Sequence, residues 1–233
     1  RNFIIANSLF TNNNAAFVGG ALASIGTDAS QVTNVVNSLF INNSAIHMGG
    51  AVISIGNLKI HNSILWGNTL DGVSTAIGAD IAPDDSDVGS EGPQIFNSLT
   101  QVYTGHTLPG ARTAGGVIVG QDPLFTNPSA SDFSLQQNSP AKDAGDNSAY
   151  DANILGSKDL AGGDRLRNTT LDIGAFEIQQ GNNPLPVKLV SFDGTQEHGL
   201  VSLLWKTAEE LNTSHFEIER SMDGKQFVHA GKV

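Results

Sequence analysis

The chain lacks cysteine and is poor in charge. Its 233 residues include no Cys, and only 15% are charged. The absence of Cys excludes a disulfide framework, thiolate zinc sites and cysteine nucleophiles. Basic residues are fewer than acidic residues, with 12 Lys and Arg against 23 Asp and Glu, so the formal net charge is −11. This charge repels phosphate backbones and anionic headgroups, so we expect no nucleic-acid binding and no peripheral membrane attachment.

Long apolar runs are also missing. No segment approaches the roughly 20 apolar residues that a membrane-spanning helix requires, so we expect no membrane insertion. Residues 1–5 (RNFII) are typical of the middle of a strand and not of a signal peptide. Gly is abundant, with 26 residues, which favours turn-rich β architecture over helices. The composition therefore predicts an all-β protein, and we expect both ends to be cut from a longer chain.

The first half of the chain contains an internal repeat. Residues 7–13 (NSLFTNN) recur as residues 37–43 (NSLFINN). Residues 19–22 (GGAL) recur at the same offset as residues 49–52 (GGAV), and a third copy and a weaker fourth copy follow. Repeats of about thirty residues with short alternating apolar runs are typical of solenoids. Each repeat is therefore predicted to form one turn of a parallel β-solenoid.

Equivalent residues of successive turns stack about 4.8 Å apart in such a solenoid. The aliphatic residue of each copy is expected to form one interior row, consisting of Leu9, Leu39, Ile64 and Leu99. Most aromatics of these copies are also expected inside, namely Phe10, Phe40 and Trp66. Asn at a tight corner tolerates left-handed geometry, and its amide can bond to the equivalent amides above and below. This predicts a structural ladder of Asn7, Asn37, Asn62 and Asn97.

The repeats over residues 1–120 resemble the right-handed parallel β-helix of the pectin-lyase-like superfamily. A different series of motifs follows, at residues 122–125 (DPLF), 132–135 (DFSL), 139–145 (SPAKDAG) and 172–177 (DIGAFE). This series resembles the terminal region of bacterial surface β-helix proteins of the choice-of-anchor Q kind. The exposed end of a solenoid needs a cover. Residues 121–178 are therefore expected to form a terminal cap, with Phe125, Phe133, Leu135, Ile173 and Phe176 as its hydrophobic residues.

Three charged residues of this region are predicted to have structural roles. Asp143 lies in a stretch of small apolar residues, which indicates a partly buried carboxylate. Such a carboxylate would accept bonds from backbone N–H groups or pair with Arg165 or Arg167. Asp172 lies at a predicted strand boundary between two aliphatic residues. We therefore expect Asp143, Arg165 and Asp172 to stabilise the cap.

The remaining chain reads as a linker and part of a second domain. Residues 179–186 (QQGNNPLP) are polar and rich in Gly and Pro, which is typical of an interdomain linker. Residues 187–233 contain alternating strands and resemble the first half of a fibronectin-III-like sandwich, with Trp205 as core aromatic. Their sequence also resembles modules that precede the sorting domain of type IX secretion substrates. This resemblance implies export to the outside of a bacterial cell.

Residues for catalysis are sparse. A uronate lyase needs a basic residue, and only Lys59 and Arg112 lie between residues 2 and 140. Glycoside hydrolysis needs two carboxylates, and the acidic residues of one Gly- and Ser-rich loop provide Asp80, Asp84, Asp85, Asp87 and Glu91. The alternate spacing of Asp85, Asp87 and Glu91 makes them candidate Ca²⁺ ligands, with a plain acidic loop as the alternative. No other cofactor and no catalytic residue is predicted.

These patterns together favour a non-catalytic part of a large secreted or cell-surface bacterial protein. Its expected role is adhesive or scaffolding, with extracellular glycans or cell-surface components as partners. The outer-membrane secretion machinery is a further expected partner. Two alternatives stay open. The chain is either the structural end of a polysaccharide lyase or glycoside hydrolase whose active site lies upstream, or secretion cargo captured with its export machinery.

Overall fold

The computed structural model describes residues 2–26, 31–76, 78–83, 93–101, 112–113, 115–179, 189–197, 200–207 and 216–233. The chain divides into two compact units, Arg1–Gln179 and Gln180–Val233. Regular structure in the described residues is almost entirely β, as predicted, with one four-residue α-helix, α1 (Ala152–Leu155). Two 3₁₀ turns, Pro128–Ala130 and Asn147–Ala149, accompany it. Within these ranges no helix has the length and apolar character to cross a membrane.

The described strands have two to five residues in the first unit and four to nine in the second. Those of the first unit are β1 (Phe3–Ala6), β2 (Leu9–Thr11), β3 (Asn14–Ala15), β4 (Leu22–Ile25), β5 (Val32–Val36), β6 (Leu39–Ile41), β7 (Ser44–Ala45), β8 (Val52–Ile55), β9 (Asn57–His61), β10 (Ile64–Trp66), β11 (Thr69–Leu70), β12 (Ile81–Pro83), β13 (Gln94–Phe96), β14 (Leu99–Thr100), β15 (Arg112–Thr113), β16 (Ile118–Val119), β17 (Phe125–Asn127) and β18 (Asp132–Leu135). Those of the second unit are β19 (Leu189–Glu197), β20 (Leu200–Thr207), β21 (Glu217–Arg220) and β22 (Val228–Lys232).

The repeats build four parallel sheets. The first sheet has the order β1-β5-β9-β13-β15 and the second the order β16-β14-β10-β6-β2. The third is β11-β7-β3 and the fourth is β12-β8-β4. Four consecutive strands thus enter four different sheets, and the next four enter them in the same order. Each of the first three repeats therefore adds one parallel strand to every sheet, and β13 to β16 extend only the first two sheets in the described residues. Equivalent residues of successive repeats are 30, 25 and 35 residues apart.

The second sheet is buried on both faces, which explains its short, almost wholly apolar strands. Its register aligns one row across adjacent strands, made of Leu9, Leu39, Ile64 and Leu99. Phe40 and Leu65 occupy the next position, so they point to the opposite face. Phe40 and Leu65 pack with the first and fourth sheets, through residues such as Ile60 and Val52. Phe10 stacks on Phe40 with ring centroids 4.8 Å apart.

The row of Leu9, Leu39, Ile64 and Leu99 faces away from the first and fourth sheets. Leu39, Ile64 and Leu99 share a hydrophobic cluster with the cap segment, defined here as residues 121–178. The cap side chains of this cluster include Phe125, Phe133, Leu135 and Ile173, with Phe176 partly buried against it. The prediction that Leu9, Leu39, Ile64 and Leu99 form one row is confirmed by the register, but the row is buried under the cap segment and not among the repeat sheets. The cap hydrophobes cover the lateral face of the second sheet, not an end of the stack as predicted.

A glycine allows this close contact. Gly174 has a φ of 109°, and a Cβ at this position would lie 3.0 Å from Cδ2 of Leu39 and 3.1 Å from Cδ1 of Ile64. Leu39 and Ile64 are both fully buried. Because only glycine avoids this overlap and also adopts this φ readily, Gly174 lets the cap backbone lie directly on the aliphatic row.

The second unit consists of two antiparallel pairs. β19 pairs with β20, and β21 pairs with β22. The register places Phe192 opposite Trp205, with ring centroids 6.4 Å apart. Phe216 contacts the edge of Trp205 at 5.5 Å. Trp205, the predicted core aromatic, is half-buried between these two rings.

Candidate functional site

The predicted asparagine ladder lies at the corner between the first and second sheets. Its four residues have left-handed backbones, with φ of 46° for Asn7, 46° for Asn37, 47° for Asn62 and 42° for Asn97. Nδ2 of Asn62 donates to Oδ1 of Asn37 at 3.2 Å, which is the amide contact that stacking predicts. Asn37 itself donates to the carbonyl oxygens of Asp172 and Gly174. The corner asparagines thus bind the cap segment as well as one another.

The other corner amides also reach the cap segment. Asn7 donates from Nδ2 to the Tyr150 hydroxyl at 2.8 Å and to the Lys158 carbonyl at 3.1 Å. Asn62 donates to the Asp146 carbonyl at 2.9 Å and accepts from the Asp146 N–H at 2.7 Å. Asn97 has the same backbone geometry and is partly exposed. The asparagine row therefore anchors residues 146–174 along the side of the repeats.

Two further ladders were missed by the sequence reasoning. In the first, the backbone N–H of each serine donates to the hydroxyl of the serine in the following repeat, through Ser8, Ser38, Ser63 and Ser98. In the second, Asn13 donates to Oδ1 of Asn43, and Asn43 donates to Oδ1 of Asn68. Their signal was present in the repeated motifs, because the Ser recurs in all four copies and the second Asn in the first three.

The second amide ladder ends on a carboxylate. Nδ2 of Asn68 donates to Oδ1 of Asp80 at 2.9 Å, and the Gln101 N–H donates to Oδ2 at 2.9 Å. Asp80 is buried, with 5% of its surface exposed. Asp80, one of the loop carboxylates considered for hydrolysis, is therefore shielded from solvent and bonded within the fold. Its contacts give it the role of a terminal acceptor for the ladder.

The cap segment contains a buried ion pair. Nη2 of Arg165 lies 2.8 Å from Oε2 of Glu177, and both side chains are shielded from solvent. The guanidinium also donates to the carbonyls of Gly174, Asp172 and Phe176. Its Nη1 lies 3.4 Å from Oδ1 of Asn7. Arg165 therefore binds three backbone carbonyls of the cap segment, and its acidic partner is Glu177, which the sequence reasoning did not select.

The predicted cap acids divide into a buried one and an exposed one. Asp172 is fully buried and accepts from the N–H groups of Asp143 at 2.7 Å and Ile178 at 2.6 Å. Asp143 is exposed, and its carboxylate accepts from Nδ2 of Asn168 at 3.2 Å. The expectation of a partly buried Asp143 that accepts bonds from backbone N–H groups or pairs with Arg165 or Arg167 is therefore wrong. Of these two acids, Asp172 is the one that accepts from backbone N–H groups.

Electrostatics in this cluster are dominated by burial. Burial raises the pKa of Glu177 to about 7, the nearby Asp172 charge acts in the same direction, and Arg165 opposes both. Burial also raises the pKa of Asp172, against the N–H bonds from Asp143 and Ile178. The loss of hydration therefore outweighs the attraction of the guanidinium, which is common for buried ion pairs.

The candidate Ca²⁺ ligands Asp85, Asp87 and Glu91 lie outside the described residues. Among the residues that are described, no group of three or more His, Asp or Glu side chains is placed to hold a metal ion.

Two surface grooves flank the segment that the corner asparagines anchor. The lateral groove, of about 150 Å³, lies between the outer face of the first sheet and residues 149–155. Its lining includes Ile4, Asn34, His61, Asp151, Ile154 and Leu155. The cap groove, of about 220 Å³, lies on the other side of that segment. Its lining includes Tyr150, Asp164, Arg165, Leu166 and Leu171.

The polar groups of the cap groove are already engaged. Tyr150 donates from its hydroxyl to the Gly156 carbonyl and accepts from Asn7. Asp164 pairs with Lys158 at 2.7 Å and with Arg167 at 3.6 Å. The lateral groove differs, because it combines a histidine ring, an amide and a carboxylate with exposed aliphatic side chains.

The buried carboxylates of the described residues accept hydrogen bonds from backbone N–H groups, amides or Arg165. Oε1 of Glu177 is buried and has no hydrogen-bond partner among these residues. Comparison of the chain with models of protein families, with curated proteins and with solved structures gave no match.

Proposed function

We propose that the chain is a non-catalytic binding and scaffolding module of a secreted or cell-surface bacterial protein. Its first unit would be the end of a right-handed parallel β-helix, and its second unit part of an Ig- or fibronectin-III-like sandwich. Its ligands would be extracellular glycans.

The strand order supports the β-helix. Strands β1 to β4 enter four sheets in turn, and β5 to β8 enter the same sheets in the same order. A chain that winds once per repeat produces this order without crossing connections. The three side-chain ladders also need identical registers in successive repeats. In the second unit, two antiparallel pairs around a half-buried Trp205 are consistent with part of a β-sandwich.

The single observation that carries the non-catalytic assignment is the use of the buried carboxylates. Asp80 ends an amide ladder, and Asp159 accepts from the N–H groups of Gly163 and Glu177. Asp172 accepts from two N–H groups, and Glu177 accepts from Arg165 and from the Asp172 N–H. Glycoside hydrolysis needs a pair of carboxylates free to act on substrate. These four side chains hold backbone and side-chain groups of the fold in place, and Oε1 of Glu177 is the one oxygen among them that is buried without a hydrogen-bond partner in the described residues.

Glycan binding is favoured by charge and by surface shape. A net charge of −11 disfavours anionic ligands. The lateral groove presents polar groups beside aliphatic side chains, a mixture that matches the hydroxyl rim and apolar faces of sugars.

The test is to offer the 233-residue chain a panel of xylan, laminarin, glucomannan, pullulan and polygalacturonate. Affinity electrophoresis measures binding, reducing-end assays measure hydrolysis, and ultraviolet absorbance of unsaturated uronates measures lyase activity. We expect retardation by a neutral polysaccharide without cleavage. Cleavage of any member, or retardation by polygalacturonate alone, would overturn the proposal.

A further inference from the structure

The outer face of the first sheet forms one wall of the lateral groove. The register aligns Ile4, Asn34 and Lys59 on adjacent strands, and Ala6, Val36, His61 and Phe96 in the next outward row. The alternate positions, including Val35 and Ile60, are buried in the interior cluster. The outward side chains of β1, β5 and β9 therefore present a mixed surface of aliphatic and polar groups.

The opposite wall is held in place by the corner ladder. Asn62 bonds to both the N–H and the carbonyl of Asp146, and Asn7 bonds to Tyr150. Asp151 caps α1 by accepting from the Asn153 N–H at 2.9 Å. These contacts fix residues 146–153 beside the sheet, so the groove is preformed.

His61 supplies a rigid polar surface within this groove. Its ring stacks on Phe96 with centroids 4.4 Å apart and planes 4° from parallel. Burial and the Lys59 charge lower the pKa of His61, so the imidazole is neutral at physiological pH. Its Nδ1 is buried and has no hydrogen-bond partner among the described residues. Because Nδ1 is buried, it cannot reach a ligand, and His61 contributes ring surface to the groove wall.

Aliphatic side chains lie beside these polar groups and remain open to solvent. Ile154 is 67% exposed and Ile4 is 49% exposed, although both line the groove. Burial of such surface by a ligand is favourable, at roughly 25 cal/mol per Å². At about 150 Å³ the groove is smaller than the about 300–1,000 Å³ of pockets for drug-sized ligands. It therefore suits one small ring with hydroxyl groups at its edge.

From this geometry we propose that the lateral groove binds a single neutral sugar residue of a glycan. Asn34 and Asp151 bond to its hydroxyl groups, and Ile4 and Ile154 pack against its apolar face. The inference rests on the proposed glycan-binding function and assigns its site. An anionic ligand fits less well, because the carboxylate of Asp151 lies in the groove.

The experiment uses the 233-residue chain, labelled for NMR, and methyl glycosides of glucose, galactose, mannose, xylose and N-acetylglucosamine as probes. The His61 imidazole signals are assigned by comparison with His61→Gln. We expect one glycoside to shift the His61 signals saturably. Ile154→Asp should weaken this binding at least tenfold, and Asn34→Ala should weaken it about tenfold through loss of hydrogen bonds.

Leu166→Asp is the matched control, because Leu166 is 54% exposed but lines the cap groove. It should leave the affinity unchanged, and amide spectra check that each variant is folded. Binding without a His61 shift, or equal binding by wild type and Ile154→Asp, would overturn the site while leaving glycan binding intact. If no glycoside binds, the site assignment also fails, whereas retardation by polysaccharides decides the proposed function separately.

Discussion

Nη2 of Arg165 lies 2.8 Å from Oε2 of Glu177, and 1% or less of either side chain is exposed to solvent. This pair joins two residues that are 12 positions apart near the end of the cap segment. Through Nη1 and the Asn7 amide oxygen, it also meets the corner of the first repeat. Arg165 therefore links the cap to the repeats, while Glu177 supplies the countercharge.

Removing the base of this pair should be costly. In Arg165→Met the carbonyls of Gly174, Asp172 and Phe176 lose a donor, and Glu177 loses its counterion. Breaking a buried pair from one side costs about 3–5 kcal/mol. We expect a loss of this size in the free energy of unfolding, measured by urea denaturation at pH 7. A loss below about 1 kcal/mol would contradict the linking role of Arg165.

Removing the acid should change the pH dependence of stability. The pKa of Glu177 is raised from 4.5 to about 7 in the folded protein, so the folded state binds more protons than the unfolded state between these values. The contribution of Glu177 to stability is therefore complete below pH 4.5 and is lost as the pH rises through 7. Glu177→Gln should remove this part of the decline in unfolding free energy with pH. The unfolding free energy of the variant minus that of wild type should therefore rise between pH 4.5 and pH 7.5. Parallel curves for the two proteins in urea titrations over this range would refute the raised pKa.

The corner ladder can be tested without disturbing its backbone geometry. Glycine adopts the φ of 46° at residue 37 freely, so Asn37→Gly removes the amide but not the turn. The buried contacts to Asn62, Asp172 and Gly174 are then lost, and we expect the unfolding free energy to fall by about 2 kcal/mol. Asn12→Gly is the control, because Asn12 has a φ of 56° but is exposed. Its effect should stay within about 0.5 kcal/mol, and equal losses for both variants would argue against a structural ladder.

The contact between cap and repeats can be tested at Gly174. In Gly174→Ala the new methyl group meets Leu39 and Ile64, and alanine must adopt a φ of 109°. Overpacking and backbone strain together should lower the unfolding free energy by about 3 kcal/mol. Gly162→Ala has a φ of 86° but no atom within 4 Å of the added methyl, so it carries backbone strain alone. We expect a loss of about 1 kcal/mol for this control, and thermal unfolding compares the two.

Much of the repeat architecture could be predicted because repetition makes one local pattern decide every turn. The period-2 runs and the recurring Asn placed the strands and the left-handed corners correctly, since both depend on the local backbone. The serine ladder and the second amide ladder follow from the same repetition. They were not predicted, because only the first Asn of each motif was assigned to a ladder. The assignment of Asp85, Asp87 and Glu91 as candidate Ca²⁺ ligands remains a prediction.

The direction in which a row of side chains is buried could not be predicted in the same way. Both faces of a strand such as β6 are apolar, so its pattern does not say which side meets the other sheets. The placement of Leu39 under the cap, and of Phe40 inside, depends on a segment more than eighty residues away in sequence. The same long-range packing selects Glu177 over Asp143 as the partner of Arg165.

The amino-acid sequence by itself determined that this chain is β-rich, that its repeats pair in parallel and that asparagines turn its corners. These features follow from local backbone preferences and from a pattern repeated every 25 to 35 residues. Only the tertiary structure decided that the cap lies along the second sheet, which carboxylates are buried and where a groove forms. These outcomes depend on contacts between distant segments, whose energies come from shared burial and cannot be read from either segment alone.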